Sequence, residues 1–331
     1  MRRKLVLLFA VYIAAVALTV YLPAEETSVF SVAGEVNEED IPAEENEGEH
    51  EDLEGQGMLS QSSEESESSS VFASSKVNES GDEVIEWNPD WPYASYSQIH
   101  TGTAMLYRPE NGNGVTVCVN AGHGTAGGWN YQTQCHPDGT PKVTGGSTAA
   151  GAVYAAAVSS GTVMQDGTEE GVANLQLAKI LKEKLLARGF NVLMIRETDD
   201  VQLDNIARTV MANQCADCHL AIHYDSSASD KGFFFMSVPA VDSYRNMEPV
   251  ASHWQQHMAL GEAVLSGVID CGNHIYGSGS MEIDLTQTSY STIPSIDVEC
   301  GDTASDWSSG AQEKIAEGIA EGVSRYFVTV S

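Results

Sequence analysis

Short apolar runs alternate with longer amphipathic segments from residue 115 to the end of the chain. The short runs are bounded by turn residues, as strands are, and the longer segments carry apolar residues at helical spacing. The predicted strands are 115–119, 190–195, 219–223, 233–238 and 295–300, and the predicted helices are 169–188, 203–214, 252–268 and 312–327. Strands that alternate with helices predict an α/β fold with three α/β/α layers and a mainly parallel central sheet.

The first 22 residues have the pattern of an export segment. Arg2, Arg3 and Lys4 precede eighteen uncharged residues at positions 5–22. This length is at the lower limit for crossing a bilayer, and a basic flank stays in the cytoplasm, so the rest of the chain is expected outside it. Residues 22–24 lack a clean small-x-small cleavage pattern. This favours an uncleaved signal-anchor, and a removed signal peptide is the alternative.

Residues 23–86 are predicted to form a disordered acidic tether. They contain 20 acidic residues and one basic residue, Lys76, with few large apolar side chains. Burial therefore cannot offset the entropy cost of ordering this segment. The whole chain has a net charge of -31 and no cluster of Lys and Arg beyond its first residues, which argues against a nucleic-acid partner.

The rest of the chain is predicted to form an aromatic lead-in and one folded domain. The lead-in, residues 87–112, is rich in Trp and Tyr and is expected to pack irregularly against the domain at 113–331. Within the domain, residues 125–167 are rich in Gly, Ser, Thr and Ala and form a long insert loop. A loop of this length inside a compact domain indicates a functional segment, such as a lid or a substrate wall.

Candidate chemistry lies at the ends of the predicted strands. His123 follows the first strand in a Gly-His-Gly turn, and His223 and Glu299 end two later strands. Glu170 opens the helix that follows the long loop. Two imidazoles and a carboxylate can hold a catalytic zinc, and a further carboxylate can act as general base. Simpler interpretations exist: Glu170 complements the helix dipole, and His223 is a core histidine bonded to Asp225 or to the backbone.

Glu299 is harder to explain without a function. It lies within an apolar strand-like run, where a buried carboxylate needs a partner to offset its desolvation. Its predicted burial therefore favours a role in a site.

Several motifs in this region match a known family in order and spacing. The matching residues are NAGHG at 120–124, Glu170 ahead of Asn174-Leu175, Arg196 with Asp199, Arg208, Ala212 and Asn213, ADCHLAIHYD at 216–225, and Pro294 ahead of Val298-Glu299-Cys300-Gly301. Together they resemble the catalytic domain of zinc-dependent N-acetylmuramoyl-L-alanine amidases of the amidase 3 type, which are cell-wall lytic enzymes. Motifs in one order over about two hundred residues are far more specific than any of them alone.

The resemblance implies hydrolysis of the amide between the lactyl group of N-acetylmuramic acid and L-alanine in peptidoglycan. It implies that His123, Glu170 and His223 bind one Zn²⁺ and that Glu299 is the catalytic acid/base. The expected partners are peptidoglycan and, through the N-terminal segment, the membrane. The protein is expected to act as a monomer on the cell-wall side of the membrane, either anchored or secreted.

The chain departs from the family pattern at several positions. Asn120 stands where the family has an aspartate, Ala221 where it has a serine, and Asp225 where it commonly has an asparagine. The loop between His123 and Glu170 is much longer than usual. The long loop concerns substrate range more than the metal site, and all four central residues of the family pattern remain.

Two other functional classes fit part of the pattern. One is a catalytically inactive or autoinhibited peptidoglycan-binding module, and the other is a zinc peptidase that acts on stem peptides. Two local motifs suggest further chemistry. Residues 215–219 fit the C-x-x-C-H pattern of haem attachment, and His253 and His257 are spaced as a pair of ligands on a helix.

Overall fold

The computed structural model describes residues 76–77 and 82–330. The strands are β1 (Lys76–Val77), β2 (Glu83–Ile85), β3 (Ala104–Tyr107), β4 (Thr116–Ala121), β5 (Gln132–Gln134), β6 (Tyr154–Ala156), β7 (Asn191–Met194), β8 (Cys218–Asp225), β9 (Phe233–Ser237), β10 (Ile275–Glu282) and β11 (Ser295–Asp302). The α-helices are α1 (Glu170–Ala187), α2 (Asn205–Cys215), α3 (Asp242–Arg245), α4 (Val250–Asp270), α5 (Thr286–Tyr290) and α6 (Ser309–Val330). Two 3-10 helices lie at Ala94–Tyr96 and Gly128–Asn130.

Nine strands form one sheet in the order β1-β2-β3-β7-β4-β8-β11-β9-β10. The central strands β7, β4, β8 and β11 run parallel to one another. Antiparallel pairs join β1 to β2, β2 to β3, β3 to β7 and β9 to β11, and β10 pairs in parallel with β9. The predicted α/β fold is confirmed, and its parallel part is the centre of the sheet. The carboxyl ends of β4, β8 and β11 therefore meet at one edge.

Helices cover both faces of this sheet. Val117 and Val119 of β4 belong to a core that includes residues of α1, α4 and α6, whereas Cys118 between them belongs to a second core with α2. This explains why β4 is apolar at successive positions and not only at alternate ones. The Cys118 and Cys300 thiols are buried, and all six cysteines are free.

All nine predicted strands and helices are present, with ends that differ by a few residues. The predicted tether, however, extends too far. Residues 76–77 form the edge strand β1, and residues 83–85 form β2, which pairs with β1 and, through Ile85 opposite Ala104, with β3. Ile85 and Ala104 are both buried, so this short segment gains enough apolar contact to be ordered.

The aromatic lead-in packs against the domain, as expected, but it is only partly irregular. It contains β3 and a 3-10 helix. Tyr93 and Tyr96 make edge contacts with the ring of Tyr290, at centroid distances of 5.7 and 5.4 Å. Trp87 and Trp91 pack against the α2 side of the sheet.

The predicted export segment at 5–22 and most of the predicted tether lie outside the described residues. Across the described part of the chain, no helix combines the length and the apolar character needed to cross a bilayer.

Candidate metal centre and active site

Three predicted site residues converge at the carboxyl edge of the central strands. His123 follows β4, Glu170 is the first residue of α1, and His223 lies in β8, whose Ile222 pairs with Ala121. Nε2 of His123 is 2.9 Å from Oε2 of Glu170 and 3.1 Å from Nδ1 of His223. Nδ1 of His223 is 3.0 Å from Oε1 of Glu170. The three side chains therefore direct one nitrogen or oxygen each toward a common point.

This geometry fits a bound cation. In the part of the chain that the structure describes, these three residues form a group of His, Cys, Asp or Glu whose potential ligand atoms all lie within 4.8 Å of one another. Ligands about 2 Å from a tetrahedral metal lie about 3.3 Å apart, close to the separations observed here. Two neutral imidazoles and one carboxylate are typical ligands of a catalytic zinc that keeps an open position.

His123 is held in the required orientation by the backbone. Its φ of 61° is in the left-handed region, which turns the ring toward the neighbouring strand. Nδ1 of His123 lies 2.9 Å from the carbonyl oxygen of Ser159, so this nitrogen carries the proton and Nε2 presents its lone pair to the metal position. Gly122 is required beside it, because a Cβ there would overlap the ring of His223.

Glu170 accepts hydrogen bonds from neighbouring backbone and side-chain groups. Thr162 donates its N–H to Oε2 at 2.9 Å, and Asn174 donates Nδ2 to Oε1 at 3.1 Å. Burial alone would raise the pKa of Glu170, but His123 and His223 outweigh it and hold the pKa well below its usual range. Glu170 is therefore an anion, as a ligand must be. Its position in the first turn of α1 is also favourable for the helix dipole, so the simpler interpretation and ligation are compatible.

Two buried arginines hold the turn that carries His123. Arg196 follows β7 and Arg208 lies in α2, and both were part of the sequence resemblance. Their acceptors include the carbonyl oxygens of Ala121, Gly122, His123 and Gly171. These charged donors join the turn after β4 to the first turn of α1, and they thereby fix the ligand-bearing turn.

Glu299 lies on β11, the neighbour of β8, with its Cα paired in register with His223. It is 9% exposed, lines the same cavity as the three convergent residues, and its Oε2 has no hydrogen-bond partner. Burial, together with the carboxylate of Asp297, raises the pKa of Glu299 well above its usual value. A buried carboxyl group with a free oxygen and a raised pKa is suited to taking and returning a proton.

Asp297 is a site residue that the sequence analysis missed. It is also 9% exposed, its Oδ2 lies 3.6 Å from Nε2 of His223, and its Oδ1 has no hydrogen-bond partner. The available signal was the strand period: residues two apart on β11 face the same side, so Asp297 shares a face with Glu299.

The insert loop forms a wall of the site. A cavity of about 730 Å³ is lined by the convergent residues, by insert residues that include Lys142, Gly146 and Ala156, and by Met281 and Ile283 of the β10–α5 region. The insert contains a small hairpin of β5 and β6. Residues 128 and 158 form the neck of the insert, where the hairpin leaves and rejoins the domain. The neck is closed, because Val158 N–H donates to the carbonyl of Gly128 at 3.4 Å. The sequence predicted a lid or a substrate wall for the insert, and in this structure the insert lines the cavity as a wall.

The last part of the insert, residues 159–162, touches the convergent residues directly. Ser159 contacts His123, and Thr162 exchanges backbone and side-chain hydrogen bonds with Glu170. Gly161 has a φ of +83°, and a Cβ there would lie 2.8 Å from Cδ2 of His123. Only glycine fits this position.

A single buried carboxylate anchors the middle of the insert. Asp284, between β10 and α5, accepts hydrogen bonds from Lys142 Nζ at 2.9 Å and Val143 N–H at 2.6 Å, and also from the Thr144 hydroxyl. Nε2 of His136 lies 3.0 Å from its Oδ2. All these partners belong to the insert, so Asp284 holds the insert against the cavity.

The Asp284→Asn variant is expected to lose about 3 kcal/mol of unfolding free energy at pH 7, because Lys142 is left buried without its counter-ion. Burial alone would raise the pKa of Asp284, but His136, Thr144 and Lys142 hold it well below its usual range. The stabilisation is therefore present above about pH 4 and is lost as the pH falls further. Urea unfolding at pH 7 and at pH 3 measures both effects.

The exposed insert residue Asp138 supplies the control. Asp138→Asn changes the same chemical group without touching Lys142 and is expected to leave the unfolding free energy unchanged. An equal unfolding free energy for Asp284→Asn and the wild type at pH 7 would contradict the anchoring role of Asp284.

The departures from the family pattern have local explanations. Oδ1 of Asn120 accepts a hydrogen bond from the buried Arg208 at 3.1 Å, so an amide serves at this position. Ala221 is buried in β8, where it pairs with Asn120 of β4 and with Asp297 of β11. Asp225 forms an ion pair with Lys231 at the cavity.

The two local motifs do not form sites. Cys218 and His219 are fully buried within β8, which leaves no room for a haem at residues 215–219. His257 is buried in α4, and its Nδ1 accepts the N–H of Ser295 at 2.9 Å. His253 is directed to the carbonyl of Pro249, with its ring centroid 6.5 Å from that of His257.

The chain is similar to known proteins over most of the described residues. A family model described as N-acetylmuramoyl-L-alanine amidase matches residues 117–325. Among solved structures, Ami1, an N-acetylmuramyl-L-alanine amidase from Mycobacterium smegmatis, has a TM-score of 0.54 and 19% sequence identity, covering 66% of this chain and 100% of that one. The apo form of Ami1 from Mycobacterium abscessus has a TM-score of 0.51 and 21% identity, covering 65% and 99%. No match was found among curated proteins. At these identities the structural likeness concerns the fold.

Proposed function

Because this chain belongs to the family of N-acetylmuramoyl-L-alanine amidases, we propose that it hydrolyses the amide between the lactyl group of N-acetylmuramic acid and L-alanine in peptidoglycan. The proposal includes a zinc ion held by His123, Glu170 and His223, and Glu299 as acid/base. The family is generally metal-dependent, and the identity of the metal is part of the proposal.

One observation carries this proposal. The nitrogen and oxygen atoms of His123, Glu170 and His223 converge within 4.8 Å of one another, in a cavity that also contains the buried carboxyl group of Glu299. A module that only binds peptidoglycan has no need for an acid/base group in a buried strand. The combination therefore supports hydrolysis over passive binding.

When bound, a divalent metal supplies Lewis acidity toward the scissile carbonyl and acidifies water at the site. The chain supplies the proton transfers. Glu299 takes a proton from the attacking water and delivers it to the departing amine of L-alanine. Its Oε2, which lies buried in the cavity without a hydrogen-bond partner, is the atom that would carry the proton between the two steps. The products are a lactyl carboxylate and a peptide with free N-terminal alanine.

The N-terminal sequence supports a location on the cell-wall side of the membrane, where this substrate lies. Its basic residues at positions 2–4 and the uncharged stretch at 5–22 are the basis for this part of the proposal. A phosphatase reporter that is active only outside the cytoplasm, fused to the C-terminus of the full chain, tests it. An inactive reporter would exclude export.

The activity is tested on the purified full-length chain with isolated peptidoglycan in water enriched in ¹⁸O. Bound metal is counted by mass spectrometry of the elements, and new amino termini are labelled and identified. We expect one zinc per chain, release of N-terminal alanine, loss of this release with a chelator, and one ¹⁸O atom in the lactyl carboxyl group.

The alternatives give different products. New amino termini within the stem peptide, with ¹⁸O in a peptide carboxyl group, would indicate a zinc peptidase. Adsorption to peptidoglycan without new amino termini would indicate a binding module or an autoinhibited enzyme. Activity that is restored to the stripped protein by magnesium but not by zinc would overturn the identity of the metal.

A further inference from the structure

The two histidines of the convergent group use opposite ring nitrogens. His123 directs Nε2 to the metal position and donates Nδ1–H to the carbonyl of Ser159. His223 directs Nδ1 to the same position, which leaves its Nε2 on the far side of the ring. A histidine that ligates through one nitrogen commonly donates the other N–H to a carbonyl or a carboxylate, and this partner fixes the tautomer and the ring orientation. For His223, the side chain on that side is Asp297.

Asp297 has the geometry of such a partner. Its Oδ2 lies 3.6 Å from Nε2 of His223, a distance at which a small side-chain rotation forms a hydrogen bond. Asp297 and His223 lie on adjacent parallel strands, where Asp297 pairs with Ala221 and Glu299 pairs with His223. The backbone register therefore places Asp297 two residues before the position on β11 that lies opposite His223.

Asp297 also has a free oxygen atom in the cavity. Only 9% of the residue is exposed, and Oδ1 has no hydrogen-bond partner. Burying a carboxylate within a strand is costly unless it interacts with a charged or polar group. Among the described residues, the convergent group of potential ligands contains His123, Glu170 and His223 but not Asp297. Asp297 thus reaches the metal position through His223 and not directly.

We propose that Asp297 is a positioning residue, which accepts the Nε2–H of His223 and thereby keeps the Nδ1 lone pair directed at the metal. The inference rests on the proposed metal site and goes beyond it, because it assigns a role to a residue outside the ligand set. The two histidines are then oriented by different kinds of group. A backbone carbonyl, which no substitution removes, orients His123, whereas a single side chain orients His223.

The test uses the full-length chain and zinc alone, with affinity measured by competition with a chromophoric chelator. Asp297→Leu removes the acceptor, and zinc affinity is expected to fall about 10–100-fold, the range found when such partners are lost. Asp297→Asn is close in shape and keeps a neutral oxygen acceptor, so a smaller fall is expected. Glu299→Gln is the matched control, because it removes a buried carboxylate from the same face of β11, and zinc affinity is expected to stay within about threefold of the wild type.

Nuclear magnetic resonance of ¹⁵N-labelled histidines gives a second readout that a general loss of stability does not produce. In the zinc-loaded wild type, the Nε2–H proton of His223 is expected at low field and in slow exchange with water. In Asp297→Leu this signal is expected to move upfield or broaden, while the Nδ1–H signal of His123 stays unchanged.

Two results would overturn the inference. If Asp297→Leu binds zinc as tightly as Glu299→Gln and keeps the His223 signal, Asp297 does not position the histidine. If the wild type itself binds no zinc, both the metal site and this inference fail. The wild-type measurement therefore distinguishes failure of the proposed function from failure of the positioning role alone.

Discussion

Replacing Glu299 with glutamine is expected to lower kcat by about 10²–10⁴-fold while one metal ion per chain is retained, because general acid–base catalysis contributes a factor of this size. Glutamine has the same shape but cannot take a proton from water or return one to the leaving amine. Glu299 lies outside the convergent group of three, so the metal is expected to stay. Release of N-terminal alanine and metal content, measured on one preparation, test both parts.

Glu313→Gln is the control for this variant. Glu313 is exposed in the first turns of α6 and does not line the cavity, so its replacement is expected to change neither activity nor metal content. If Glu299→Gln retained turnover within about threefold of the wild type, the acid/base role would have to move to another group, and Asp297 would be the next candidate.

Replacing His223 with alanine is expected to remove both the metal and the activity. Nδ1 of His223 lies 3.1 Å from Nε2 of His123 and 3.0 Å from Glu170, so the variant leaves only two of the three ligands. A site with two protein ligands does not hold a catalytic zinc against dialysis. Elemental analysis after dialysis and the alanine-release assay measure the two losses.

His253→Ala provides the comparison, because it removes an imidazole from the second histidine pair, on α4. The ring of His253 bonds to the carbonyl of Pro249, so metal content and activity are expected to remain. If His253→Ala lost the metal and His223→Ala kept it, the metal site would lie at the α4 pair and not at the sheet edge. Thermal unfolding of both variants without metal checks that each is folded.

The parts of the fold that sequence analysis predicted are those with strong local signals. β4 is a nearly continuous apolar run, β8 and β11 are short segments with apolar residues between polar ones, and α1 carries an apolar stripe that ends before Gly189, so both types could be assigned from the sequence. Because β4, β8 and β11 are parallel, their final residues meet at one edge. For this reason His123, His223 and Glu299 could be expected together before their distances were known.

The elements that were missed have weak or misleading local signals. β2 is a three-residue strand among acidic residues, and its order depends on its pairing with β1 and β3. β10 contains Gly277 and Gly279, both with positive φ, and its pairing with β9 is interrupted, so its sequence resembles a loop. Short or interrupted strands of this kind depend on pairing partners elsewhere in the chain.

The supporting contacts of the site were beyond sequence analysis for a different reason. The carbonyl of Ser159 and the N–H of Thr162 orient His123 and Glu170, and every residue type except proline has both of these backbone groups. Asp284 and its partner Lys142 are 142 residues apart, and nothing local connects them. Asp297 alone had a signal, its position two residues before Glu299 on one strand face.

The closed neck of the insert separates the part that lines the cavity from the part that contacts the candidate metal ligands. Residues 128–158 leave and rejoin the domain at one place, whereas residues 159–162 contact the ligand-bearing side chains. Lengthening or shortening a surface loop between fixed ends costs little free energy. A chimera that replaces residues 128–158 but keeps the partners of Asp284, which are His136, Lys142, Val143 and Thr144, is therefore expected to change which substrates are admitted while the convergent residues stay unaltered.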